Sequence, residues 1–210
     1  QWLIHIGSLI PFLILIVDGF TNNLTFNPIQ EITQRTGRTA VIWLLLSLSC
    51  TPLNIVLGLK AANQVRRPLG LYAAFYAALH FLTFAVLDLN LNLQQILKTT
   101  LEKPFILLGS LALIILLALT VTSTKGWIKR LGKKWSLLHK LVYVAGIIIL
   151  IHYIWAVKAV MGLPVILSIV LAILLAVRLP FLRKWLVKHQ PQWIKPVNQF
   201  LVGGKKKAPK

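Results

Sequence analysis

Acidic side chains are nearly absent. The 210 residues hold only Asp18, Glu31, Asp88 and Glu102 against 23 Lys and Arg, for a formal net charge of +19. None of the four acids lies in the middle of an apolar block, whereas proton-coupled transporters more often carry carboxylates at the bilayer midplane. Cysteine is reduced to Cys50, which excludes an internal disulfide, an iron–sulfur cluster and a cysteine zinc site. Within its apolar run Cys50 reads as an inert core thiol. No HExxH, P-loop or GxGxxG motif occurs, and no Ser/His/Asp or Cys/His nucleophile set is recognisable. No internal repeat is evident. The chain opens on Gln1 and its only methionine is Met161, so a few starting residues are expected to precede it. The first apolar block lacks a basic start and a small-residue cleavage site and reads as a retained helix, not a signal peptide.

What the chain has in abundance is apolar length. It is 57% hydrophobic and 13% charged, against about 25% charged in soluble domains, and its mean hydropathy is +0.78. The apolar residues fall into blocks of about 20, the length that crosses a hydrocarbon core of about 30 Å as a helix. Six spans follow: Trp2–Phe20, Thr39–Leu59, Leu69–Leu89, Pro104–Thr122, Ser136–Val157 and Leu163–Leu179. Short connections imply antiparallel neighbours, hence an all-α integral membrane protein built as a six-helix transmembrane bundle. Residues 1–180 form the transmembrane domain and residues 181–210 a basic tail, cytoplasmic or lying on the membrane interface.

Eighteen of the 23 basic residues fall in the connections after spans two and four and in the C-terminal tail. The positive-inside rule therefore places both termini in the cytoplasm. The same clustering explains the charge as topology and contact with anionic membrane lipid, so no nucleic-acid partner is inferred.

Three histidines lie inside apolar blocks: His80, His139 and His152. An imidazole at bilayer depth is costly without a partner, and imidazole is the commonest protein ligand for metals and haem iron. His139 and His152 are 13 residues apart on one span, which is about 20 Å along a helix, too far for one iron but suited to two stacked levels. Thirteen steps also rotate by about 220°, so a straight helix would not present both rings on one face. His80 and His152 match best in depth, and a bis-histidine haem clamped between spans three and five is the preferred arrangement. His139 and His5 lie at similar depth near the cytoplasmic face and could together hold a second, inner cofactor, and His189 in the basic tail reads as solvated. A small transporter or channel using the histidines for an ion or proton is the competing class, and a structural membrane anchor is a third. No segment of the 210 residues reads as a flavin or nicotinamide domain, so electrons are expected from another molecule.

The runs ITQRTGRTA (Ile32–Ala40), VRRPLGLYAAFYAALHF (Val65–Phe81), TSTKGWIKRLGKKWSLLHKLVYV (Thr122–Val144) and IHYIWAVK (Ile151–Lys158) resemble the MsrQ family, also called YedZ. The LGKxWxxLHxLVY pattern ending at Tyr143 carries most of the specificity. The resemblance implies membership of the ferric-reductase-like transmembrane group and a place in the bacterial inner membrane. It also implies b-type haem, one or two, held by His80, His152 and His139. The implied acceptor is a periplasmic molybdopterin-containing methionine sulfoxide reductase subunit that repairs oxidised protein methionines. The implied donor is a quinone or a cytosolic flavin reductase, and members are also associated with FMN. Two-haem relatives place a second histidine about one haem spacing before that of the third helix. Here the region reads Arg66–Arg67, which with Lys133 and Lys134 could hold haem propionates or a flavin phosphate or act only as topology signals.

Overall fold

In the computed structural model, which describes residues 2–157 and 162–191, every regular element is a helix. The order is α1 (Trp2–Phe20), α2 (Pro28–Leu57), α3 (Ala62–Leu82), α4 (Leu93–Glu102), α5 (Pro104–Val121), α6 (Lys125–Leu131), α7 (Lys133–Leu138), α8 (Leu141–Ala156), α9 (Gly162–Ala176) and α10 (Pro180–Lys188), with a π-helical turn at Thr83–Asp88 continuing α3. Four stretches are long and apolar enough to cross a bilayer: Pro28–Leu57, Ala62–Asp88, Pro104–Val121 and Lys133–Ala156. These overlap expected spans two to five to within one or two residues at their C-terminal ends, and the protein is a multi-pass membrane protein. The first expected span is short, with Ile4–Phe20 as its apolar part, and the sixth, Gly162–Ala176, is bent by 78° from α10. By length and composition the count is therefore four spans, or five with the bent pair. Trp193 and the rest of the tail beyond residue 191 lie outside the described residues.

Two boundaries differ from the hydropathy reading. The second helix starts at Pro28, eleven residues before Thr39. Pro28 suits the first helical turn, the Asn27 side chain accepts from the Gln30 N–H at 3.2 Å, and the Thr33, Thr36 and Thr39 hydroxyls donate to carbonyls one turn back. Arg35, which breaks the apolar run, pairs with Asp18 and with Glu31. Hydropathy finds the membrane-length core of a helix and misses such a polar extension. The fifth expected span is not one helix either. The helical hydrogen bonding is interrupted between α7 and α8, with His139 closing α7.

The bundle is built from two helix pairs, α2 on α3 and α5 on α8, and these pairs are copies of one another. Ala40 and Ala112, Leu44 and Leu116, and Ala73 and Ala145 are all buried, each pair 72 residues apart. Ala73 and Ala145 are both wholly enclosed. Small residues at these points let helix backbones approach closely, the main source of helix association in lipid. The repeat escaped the sequence reading because it consists of small and common apolar residues at helical spacing, without a shared motif. It is a parallel repeat, since both pairs place their histidine at the same end.

α1 is fastened to this core by one phenol. The Tyr76 hydroxyl donates to the Ser8 carbonyl at 2.6 Å and accepts from the Phe12 N–H at 3.1 Å, bridging the turn of α1 that contains Pro11. Tyr76 is among the largest fully buried side chains. At the opposite end, Arg178 donates to the Leu48 carbonyl and lies over the Tyr143 ring at 4.7 Å, joining the end of α9 to α2 and α8. Tyr76→Phe leaves a buried carbonyl and N–H without the bridging hydroxyl, so we expect a loss of about 1–3 kcal/mol, measured by thermal unfolding in detergent.

Candidate functional site

α3 and α8 bring His80 and His152 together at the end of the bundle where α2 and α5 begin. Their ring centroids are 6.1 Å apart with planes at 76°. Two imidazoles on opposite sides of one metal ion, each bound at about 2 Å, bring ring centres about 6 Å apart. Both rings are held in the same way. His80 Nδ1 lies 2.8 Å from the Thr33 carbonyl and His152 Nδ1 lies 2.5 Å from the Phe105 carbonyl. A carbonyl only accepts, so Nδ1 carries the proton in each ring and Nε2 keeps its lone pair for a ligand. This is the outer-shell arrangement that orients metal-binding histidines. The two bonds are again 72 residues apart, so the histidine pair is part of the repeat.

A cavity of about 560 Å³ surrounds the pair, within the size range of cofactor pockets. Its walls include Ala77, Phe81, Leu113, Leu116 and Ile149, and its rim carries Gln34, Arg38, Asp88 and Lys103. Arg38 and Lys103 are the lining cations among the described residues, and both are exposed. No group of three or more His, Cys, Asp or Glu that could hold a metal ion occurs among the described residues. Two nitrogen donors in a largely apolar cavity of this size suit a metal whose other four ligands come from a macrocycle.

The other residues singled out from the sequence lie elsewhere. His139 stacks on Trp135 at 4.1 Å, and its Nε2 is 3.2 Å from Thr122 Oγ1. The Thr122 hydroxyl donates to the Ala118 carbonyl, so it accepts from His139, and the free lone pair there is on Nδ1, the reverse of the other two rings. His5 bonds the Tyr72 hydroxyl at 3.0 Å. His189 is exposed, with Nδ1 2.8 Å from the Trp185 carbonyl. Arg66 Nη1 donates to Thr51 Oγ1 at 3.3 Å, and Arg67 is exposed. Neither arginine lines the cavity. Within the repeat, Arg67 stands 72 residues before His139, so this position is an imidazole in one copy and a guanidinium in the other. Sequence reasoning missed Arg38, Lys103 and the two carbonyls. Arg38 was within reach, in the ITQRTGRTA run. The carbonyls belong to the backbone, where no side-chain pattern marks them.

A family model described as the ferric reductase like transmembrane component matches residues 36–150. A relative from Deinococcus radiodurans is 42% identical over 83% of this chain and 86% of its own length. One from Herminiimonas arsenicoxydans is 40% identical over 84% and 82%, and one from Xanthomonas euvesicatoria 37% over 84% of each. All three are named protein-methionine-sulfoxide reductase heme-binding subunit MsrQ. The chain belongs to the MsrQ family. The ferric-reductase-like match takes in His80 and His139 and stops two residues before His152.

Proposed function

We propose that this protein is a membrane electron-transfer subunit that holds a b-type haem between His80 and His152. The observation that carries this reading is the matched pair of rings, each with Nδ1–H committed to a helix carbonyl and Nε2 available in one cofactor-sized cavity. When bound, haem supplies one-electron chemistry between ferric and ferrous iron. The chain's own groups do the rest. His80 and His152 would hold the iron through Nε2, with the Thr33 and Phe105 carbonyls fixing their tautomer. The apolar wall excludes water and lowers the local dielectric, which tunes the potential. Arg38 and Lys103 would hold the two propionates at the rim by charge-assisted bonds.

In this reading the basic end, with Arg66, Lys129, Lys133 and Arg183, faces the cytoplasm, and both termini with it. The His80–His152 end then faces the periplasm of a bacterial inner membrane. Electrons arrive from a quinone or a cytosolic flavin reductase and leave to a periplasmic molybdopterin methionine sulfoxide reductase subunit. The relatives' names support a methionine sulfoxide reductase as the partner. Residues 1–180 are the haem-binding domain and 181–210 the basic tail. His139, supported by the cationic Arg66 and Arg67 around the start of α3, serves an inner level that takes a second haem or FMN. His5 is the weaker candidate there, because its ring is engaged by Tyr72.

Dithionite-reduced purified protein should show sharp b-type α and Soret bands, and His80→Ala or His152→Ala should remove the main haem. A colourless wild-type preparation after expression with haem would refute the proposal, as would loss of that haem from His139→Ala alone. Replacing Arg38 and Lys103 together by glutamine should weaken haem retention about 10- to 100-fold, the scale of two solvent-exposed charge-assisted bonds at about 1 kcal/mol each, while band positions stay unchanged. Haem transfer to apomyoglobin measures it.

A further inference from the structure

Gly37 and Gly109 occupy the same place in the two halves of the repeat, each one turn beyond the carbonyl that holds a histidine. A Cβ at Gly37 would lie 2.9 Å from His80 Nδ1 and 3.0 Å from its Cε1. A Cβ at Gly109 would lie 2.9 Å from both Nδ1 and Cε1 of His152. Neither glycine has positive φ, so its backbone conformation does not call for glycine. The space occupied by the ring does. Other glycines behave differently. Gly146 would place a Cβ no closer than 3.5 Å to Leu171, and its counterpart 72 residues earlier is Ala74. Gly7 and Gly126 would meet nothing within 4 Å.

We infer that Gly37 and Gly109 are positioning residues, two copies of one seat that lets each imidazole lie flat against the facing helix and reach its carbonyl. This rests on the proposed bis-histidine haem. The seat acts on the cofactor through the ring. An Nδ1–H bond to a carbonyl makes the imidazole a stronger donor through Nε2, which favours the ferric state. A methyl group at either glycine pushes the ring from its carbonyl and removes part of that donation. Haem is then held less well or, where it is retained, its midpoint potential rises.

The test compares Gly37→Ala, Gly109→Ala and Gly146→Ala with the wild type in haem content per protein, midpoint potential and the low-spin ferric EPR signal. Alanine in place of a mid-helix glycine ordinarily favours the helix, so a purely structural effect runs in the opposite direction. Gly37→Ala and Gly109→Ala should each lose haem or shift the potential upward with an altered EPR signal, by similar amounts, while Gly146→Ala matches the wild type. Wild-type behaviour of either seat variant would overturn the inference, and so would equal damage in all three. If a seat variant does not accumulate, Gly37→Ala combined with His80→Ala decides the matter, since the smaller side chain removes the clash. The double variant should accumulate as well as His80→Ala alone, and continued failure would show that Gly37 acts through something other than the ring. The bis-histidine reading fails on a separate result: wild-type protein without haem, or His80→Ala and His152→Ala proteins that keep it.

Discussion

The bond from an imidazole Nδ1–H to a helix carbonyl, made twice, sets the layout of this membrane protein. Such a bond needs the ring to enter the groove of the opposite helix, and only a residue without a Cβ leaves room for it. Once each ring is anchored, its rotation is fixed, its tautomer is fixed and its second nitrogen is directed away from its carbonyl. The cavity between α2, α3, α5 and α8 is what remains between two rings held in this way. In lipid, where an unpartnered imidazole has no water to turn to, the arrangement also satisfies the Nδ1–H of each ring.

Because the repeat is parallel, equivalent residues of the two copies fall at the same depth. At the outer level the copies agree, His80 with His152 and Gly37 with Gly109. At the inner level they differ, Arg67 against His139. His139 is also held by its Nε2 and stacked on Trp135, not seated on a glycine. His139 is therefore held by different means from His80 and His152, and its position does not share the symmetry of that pair.

The membrane class, the approximate helix positions and the nearness of His80 to His152 were legible in the sequence, because hydropathy and matched depth need only one-dimensional spacing. The family was legible from four short runs. What the sequence did not show depends on contacts across helices. The polar start of α2 at Pro28 is stabilised by capping and by Arg35 pairing with Asp18 and Glu31, none of which raises hydropathy. The break at His139 reflects packing against Trp135 and Thr122. The repeat is written in alanines, leucines and glycines, whose significance appears only when Ala73 and Ala145, or Gly37 and Gly109, are found to do the same thing in space. Arg38 stood in a quoted run, but only the cavity shows that it borders the histidines.

The hydroxyl of Tyr76 has a consequence for how α1 sits in the membrane. The apolar part of α1, Ile4–Phe20, rises about 26 Å at 1.5 Å per residue, a little short of a hydrocarbon core of about 30 Å. Hydrophobic matching alone would leave such a helix free to shift up or down. The phenol, lodged between the Ser8 carbonyl and the Phe12 N–H, engages a single turn of α1, the one that contains Pro11. A slip of one turn along α3 would forfeit both bonds at once. The vertical register of the first helix is thus set by α3 from inside the bundle, and the bilayer has to adapt to it.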